Sequence, residues 1–199
     1  MKPEKARPGR PRAFDEDVAL EIAMRIFWQK GYEATSMTDL TQAMGINPPS
    51  LYAAFGNKES LFLRVLERYS AGPAAYVLKA LDAPTARKVA EQRLFGAIDS
   101  IRKDCPTGCL VAQEASRCLD ANDPIGRKLS EFCDASHQAF VRRFKRAKAE
   151  GDLPQDADPN ALARYLNTVA QGVAVQAAAG VSRTDLRKVV TIALEQWPS

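Results

Sequence analysis

Residues 38–55 read TDLTQAMGINPPSLYAAF, two short helical stretches, 38–44 and 48–55, joined by Gly45-Ile46-Asn47. A pair of short helices with a three-residue turn led by glycine is the helix-turn-helix arrangement. Glycine allows the positive φ of a sharp reversal. Asn47 can cap the second helix, and Pro48 suits its first position, where the missing amide hydrogen had no partner to lose. The free backbone amides at both helix starts are ready donors to phosphate. From Ala34 to Asn57 the only charged side chain is Asp39, in a chain that is 26% charged, so few carboxylates would repel a phosphate backbone. Lys58 opens the next helix, where it opposes the helix dipole. A phosphate partner explains that position, and an ordinary exposed lysine is the alternative.

Outward from this stretch the pattern stays helical. Val18, Ile22, Ile26 and Phe27 recur at helical spacing over residues 15–30, with Gly31 as a stop. Asn57 caps a helix whose stripe is Leu61, Phe62, Val65, Leu66 and Tyr69, ending at residues 70–73. Further helices are expected over 85–102, 109–119, 123–150, 159–179 and 184–196, with no alternating strand pattern in competition. The basic cluster Arg142, Arg143, Lys145, Arg146 and Lys148 is read as a solvated face. The fold class is all-α with about nine helices: a basic arm at 1–13, a three-helix helix-turn-helix domain at 14–68 and a helical domain at 69–199.

The chain has 199 residues, 46% hydrophobic, and a net charge of +4, so it can build a core without disulfides or metal. The whole excess lies in the first 12 residues, where Lys2, Lys5, Arg7, Arg10 and Arg12 stand against Glu4 alone. A basic arm on a neutral body suits an anionic partner, nucleic acid before membrane. Within it, Pro8-Gly9-Arg10-Pro11-Arg12 resembles a minor-groove hook, since a narrow A·T-rich groove attracts inserted arginines. An unspecific basic tail is the other reading. Asp15, Glu16, Asp17 and Glu21 occupy the place of a secretory apolar segment, and residues 165–182 are too polar to cross a bilayer. A cytoplasmic chain with free thiols is expected.

Residues 23–62, AMRIFWQKGYEATSMTDLTQAMGINPPSLYAAFGNKESLF, resemble the DNA-binding domain of the TetR family of bacterial one-component regulators. The resemblance implies that Thr38 opens the helix before the turn and holds phosphate. It implies that Pro48, Pro49, Ser50, Ala53 and Ala54 form the exposed recognition face, that Tyr52 packs on the DNA backbone, and that Lys58 grips phosphate. Leu51, Phe55, Leu61 and Phe62 match the family's core positions. The recognition face has no Arg, Gln or second Asn for a bidentate base contact. Specificity would then rest on thymine methyls, the hydroxyls of Ser50 and Tyr52, Asn47 and the arginines Arg10 and Arg12.

The resemblance further implies a C-terminal dimerisation and ligand-binding domain. The expected function is a repressor released from a palindromic operator by a small-molecule effector. Leu162, Tyr165, Leu166, Val169, Val173, Val190, Leu194 and Trp197 mark two apolar helices for a homodimer interface, with half-sites about 34 Å apart or a multiple. The expected cavity lies among Leu94, Phe95, Ile98, Cys109, Phe132, Phe140 and Phe144, suiting an apolar or aromatic effector.

Cys105, Cys109, Cys133 and His137 could in principle hold zinc, but their spacing fits no common module and Pro106 and Gly108 break the helix that would align the first pair. No metal and no cofactor are expected, and His137 reads as a satisfied partner on a helix face. The cysteines are buried inert thiols or, alternatively, sensors of oxidants or electrophiles. Cys109 is the foremost of these because it opens a helix whose positive end favours thiolate. A Cys/His-dependent enzyme is a further alternative, but no second histidine, Gly-x-Ser-x-Gly elbow or phosphate-cradling loop supports it.

Overall fold

The computed structural model describes residues 14–101, 105–117 and 123–198. The arm, with Arg10 and Arg12, lies outside the described residues. Among the described residues there are ten α-helices and no strand: α1 Glu16–Lys30, α2 Met37–Met44, α3 Pro48–Phe55, α4 Lys58–Ala71, α5 Ala75–Lys79, α6 Ala86–Asp99, α7 Leu110–Arg117, α8 Pro124–Ala149, α9 Pro159–Ala178 and α10 Arg183–Glu195. One 3₁₀ turn, Ala80–Asp82, leads from α5 to α6. The extra helix beyond the nine expected is α5, five residues without a side-chain cap.

Most helix starts carry the cap their sequence offers. Asp15, Asn47, Asn57, Thr85, Asp123, Asp158 and Ser182 each accept a backbone amide of the first turn, satisfying donors that would otherwise be orphaned. The boundary of α2 differs from the expectation. Ser36, not Thr38, is its cap, in a reciprocal box with Asp39.

The apolar stripes sort into two clusters. The first joins α1, α2, α3 and α4 through Phe27, Leu40, Leu51, Phe55, Leu61 and Phe62, and takes in Leu110 and Val111 of α7 and Ile125 and Leu129 of α8. Phe27 meets Phe62 edge-on at 5.1 Å and Trp28 meets Tyr69 at 5.0 Å, geometries that aromatic pairs prefer. The second cluster is built by α6, α8, α9 and α10 around Leu94, Ile98, Phe140, Phe144, Leu166 and Trp197. The helix-turn-helix core therefore extends onto elements far along the chain.

Two residues of the basic cluster on α8 leave the expected solvated face. Arg143 is buried, its Nε donating to the Leu81 carbonyl at 3.2 Å and its Nη2 to those of Ala83 at 2.8 Å and Pro84 at 3.1 Å. Lys148 donates to the Ala157 carbonyl at 2.8 Å. Both tie α8 to loops instead of facing water.

Candidate nucleic-acid interface and regulatory cavity

The turn between α2 and α3 is fixed by Gly45, which sits at φ +66°, ψ +30° with its amide donating to the Gln42 and Thr41 carbonyls. A Cβ there would meet nothing within 4 Å, so conformation alone demands glycine, at a cost of about 1–2 kcal/mol to any other L residue. On α3, Leu51 and Phe55 face the core while Pro48, Pro49, Tyr52 and Ala53 are exposed, Tyr52 with half its surface in water. These four lie at i, i+1, i+4 and i+5, one helix face.

Two of the expected contact residues, Asn47 and Ala54, have partners within the protein, and a third, Ser50, is partly covered. Asn47 Oδ1 accepts the Ser50 amide at 2.9 Å, so it serves as a cap. Ser50 is half-buried, and Ala54 packs on the core with its carbonyl accepting Arg64 Nη1 at 3.2 Å. Thr38 is exposed one position inside α2. Lys58 lies at the first position of α4, its Nζ 4.2 Å from the centre of the Tyr32 ring and 3.4 Å from the Glu33 carbonyl it donates to. The acid in this stretch is muted: the Ser36 hydroxyl and amide, then Lys30 at 3.0 Å, hold the Asp39 carboxyl well below the usual carboxylate range. Burial, then the nearby Glu59 and Glu33, push the Tyr32 phenol up to about 12, so it stays neutral beneath Lys58.

Sequence reasoning missed how this surface is tied to the rest of the protein. Glu114, buried on α7, accepts the Tyr32 amide on Oε2 at 2.8 Å and Arg117 Nη1 on Oε1 at 2.7 Å. Gly31 makes room for this, since a Cβ there would run into the Arg117 guanidinium and lie 3.1 Å from Glu114 Oε1. The signal in the sequence is spacing: Glu114 follows Leu110 and Val111 by four and three residues, which puts a carboxylate on the apolar face of that helix.

The cavity is displaced from its expected walls. Leu94, Ile98, Phe140 and Phe144 are sealed in the second core, Phe144 packing on Trp197 at 5.3 Å, and Phe95 lies under the Arg187 guanidinium at 5.3 Å. Cys109 and Phe132 do line a cavity of about 90 Å³, together with Tyr69, Val77, Arg93, Val111 and Cys133. A larger open recess of about 500 Å³ adjoins it through Cys109, Ala112 and Gln171. Burial, then the neighbouring Cys109 and Asp134, push the Cys133 thiol up. His137 is buried between Asn160 Oδ1 at 2.8 Å and Asn167 Nδ2 at 3.5 Å, and among the described residues no group of three potential ligands could hold a metal.

The expected interface residues divide in the same way. Leu166, Val173, Val190, Leu194 and Trp197 belong to the chain's own core, and Leu162 and Val169 are half-buried against it. The apolar surface that α9 and α10 leave open is Tyr165, Val175, Val189 and Ile192, with Val175 and Ile192 about three-fifths exposed. Among the described residues no helix is long and apolar enough to cross a membrane.

The family model described as bacterial regulatory proteins, tetR family, matches residues 19–65, and that described as tetracyclin repressor-like, C-terminal domain, matches residues 92–193. The HTH-type transcriptional repressor ComR of Escherichia coli (strain K12) is 35% identical over 193 residues, covering 96% of this chain and 92% of that one. The repressor BdcR of the same strain is 32% identical over 192 residues, covering 94% and 91%. A cysteine-substituted TetR family regulator, CifR, complexed with 26-bp double-strand operator DNA, is 42% identical with a TM-score of 0.87, covering 96% of this chain and 100% of that one. With both halves matched in order and the helix-turn-helix built as described, this chain belongs to the TetR family of bacterial regulatory proteins.

Proposed function

We propose that the protein is a transcriptional repressor that binds a palindromic operator as a homodimer and leaves it when a small molecule fills the cavity beside Cys109. The observation that carries this is the exposed, charge-free face of α3, Pro48, Pro49, Tyr52 and Ala53, in a helix-turn-helix whose next helix, α4, opens with Lys58. An uncharged face does not repel the phosphates that wall the major groove, and it leaves contact to thymine methyls and hydroxyls while backbone amides and Lys58 are available to phosphate. The arm at 1–13, the domain at 14–68 and the remainder at 69–199 are the working division, with α7 bridging the last two.

The test is binding to the DNA upstream of the protein's own gene at two salt concentrations, with a truncation lacking residues 1–13 alongside. Binding should fall steeply with salt and weaken on truncation. Lys58→Ala should flatten the slope of log K against log salt by about one unit. No salt-dependent binding at either concentration would overturn the repressor reading, and an unchanged slope in Lys58→Ala would remove its phosphate contact.

The second copy is expected on the outer faces of α9 and α10, where a two-fold axis would bring Val175, Val189 and Ile192 against their own copies. Ile192→Arg places like charges at that axis. It should convert the dimer to monomer in sedimentation and weaken operator binding at least tenfold, because one half-site is then read alone. A dimer unchanged by Ile192→Arg would move the interface elsewhere.

A second reading, a thiol sensor of electrophiles on the same fold, is favoured by one observation: Cys109 borders both the cavity and the recess. Cys133, its thiol held protonated by burial, is the poorer nucleophile. Alkylation with iodoacetamide that releases operator in the wild type and not in Cys109→Ser would establish it.

A further inference from the structure

The walls of the cavity are mainly apolar, but one of them is a cation. Arg93, on α6, lines it with Nε and Nη1 both buried and without a hydrogen-bond partner among the described residues. Its guanidinium carbon lies 5.6 Å from the centre of the Tyr76 ring. A guanidinium keeps its charge in a protein, and a buried charge without a counter-ion or full hydrogen bonding is costly. Elsewhere the cost is met in larger part: buried Arg143 donates through Nε and Nη2 to three carbonyls and leaves only Nη1 without a partner, and half-exposed Arg117 pairs with the Glu114 carboxylate. No carboxylate plays that part for Arg93 in any ion pair among the described residues.

The rest of the lining limits what can answer it. Ala74, Val77, Val111 and Phe132 supply an apolar wall, and Ser136, Asn167 and Gln171 a short polar edge. About 90 Å³ admits only a small body.

We propose that the cavity binds a small organic acid whose carboxylate is taken by Arg93 and whose apolar body lies against Val77, Val111 and Phe132. Two oxygens in a plane match the donors of a guanidinium better than any other common anion of this size. The proposal rests on the effector-released repressor reading and names the chemistry of its effector. The carboxylate removes the burial penalty, so the ligand favours whichever arrangement of α6 and α7 closes around it.

The experiment uses the full chain and two matched pairs of probes: butyrate with butyramide, and benzoate with benzamide, each against sodium chloride at equal ionic strength. Thermal melting and release of operator DNA are read together. At least one acid should raise the melting temperature by several degrees and bind ten or more times tighter than its amide. It should also release operator at concentrations where chloride does not. Arg93→Met should abolish the preference for acid and, without ligand, melt at a higher temperature than wild type, because an unpartnered charge has been removed. A structural role on Tyr76 predicts a lower melting temperature instead.

Acids that bind no better than amides or chloride, or a variant that keeps the preference, would overturn the proposal. The wild-type comparison decides even if Arg93→Met does not fold. A protein that binds operator but ignores all acids refutes the carboxylate alone, whereas one that never binds operator refutes the repressor reading beneath it.

Discussion

Replacing Ala53 by glutamate should abolish operator binding while leaving the protein as stable as before. Ala53 is exposed on the face of α3 opposite Leu51 and Phe55, so the longer side chain meets only water in the free protein, and stability should change by no more than about 0.5 kcal/mol. On DNA the same carboxylate would enter a groove walled by phosphates. Like-charge juxtaposition costs several kcal/mol, and at 1.4 kcal/mol per tenfold a loss of about 100- to 1,000-fold is expected in a binding titration. Ala53→Gln separates size from charge and should lose far less. Equal losses in the two would mean that the groove cannot admit the volume, and no loss in either would remove α3 from the contact.

The frame of this surface was legible because its determinants act over a few residues. Gly45, Asn47 and Pro48 each fix a local dihedral or satisfy a local amide, and Leu51 with Phe55 shows the buried face by spacing alone. The Ser36–Asp39 box is equally local, and its spacing was available in the sequence as the true start of α2. The division of roles within α3 was less legible. Whether Asn47 caps or contacts a partner, and whether Ala54 faces core or solvent, depends on where Arg64 and the body of α4 lie.

The regulatory half was legible as helices and not as surfaces. Leu94, Ile98, Phe140 and Phe144 make a stripe that reads the same against a core or a cavity, because spacing reports one buried face and not what covers it. Helix α9 is apolar on two faces, Ala163, Leu166, Ala170 and Val173 inward and Tyr165 and Val175 outward, so its apolar residues could be found while their directions could not. The informative residues were the polar ones out of place. Arg93 and Glu114 interrupt buried faces: Glu114 marks a contact with the far-off Tyr32 amide, and Arg93 a charge that no carboxylate of the described residues answers.

Glu114→Ala should be among the most damaging single substitutions outside the apolar cores, and damaging in a particular way. The carboxylate joins α7 to the turn before α2 through the Tyr32 amide at 2.8 Å. Tyr32 packs its ring 5.0 Å from Phe62 and carries Lys58 on its face. Cys109 precedes α7 and borders the cavity, so one short helix touches the cavity at one end and holds the turn before α2 at the other. Removing the carboxylate strands a sheltered amide and leaves Arg117 unpaired, at a cost of roughly 2–4 kcal/mol. Glu114→Gln keeps an acceptor for Tyr32 and loses only an ion pair whose arginine is half exposed, worth about 1 kcal/mol or less. Urea denaturation should rank wild type, Gln and Ala in that order, and amide exchange at Tyr32 should quicken in the Ala variant alone. In that variant any ligand that fills the cavity should still bind but release operator poorly, since coupling between two sites requires an element whose state both of them bias. Gly31→Ala should destabilise chiefly through backbone strain at φ +91°, because the half-exposed Arg117 guanidinium it meets can swing aside. Equal destabilisation by Gln and Ala would place the energy in the Arg117 pair and leave the Tyr32 amide without a part in the coupling.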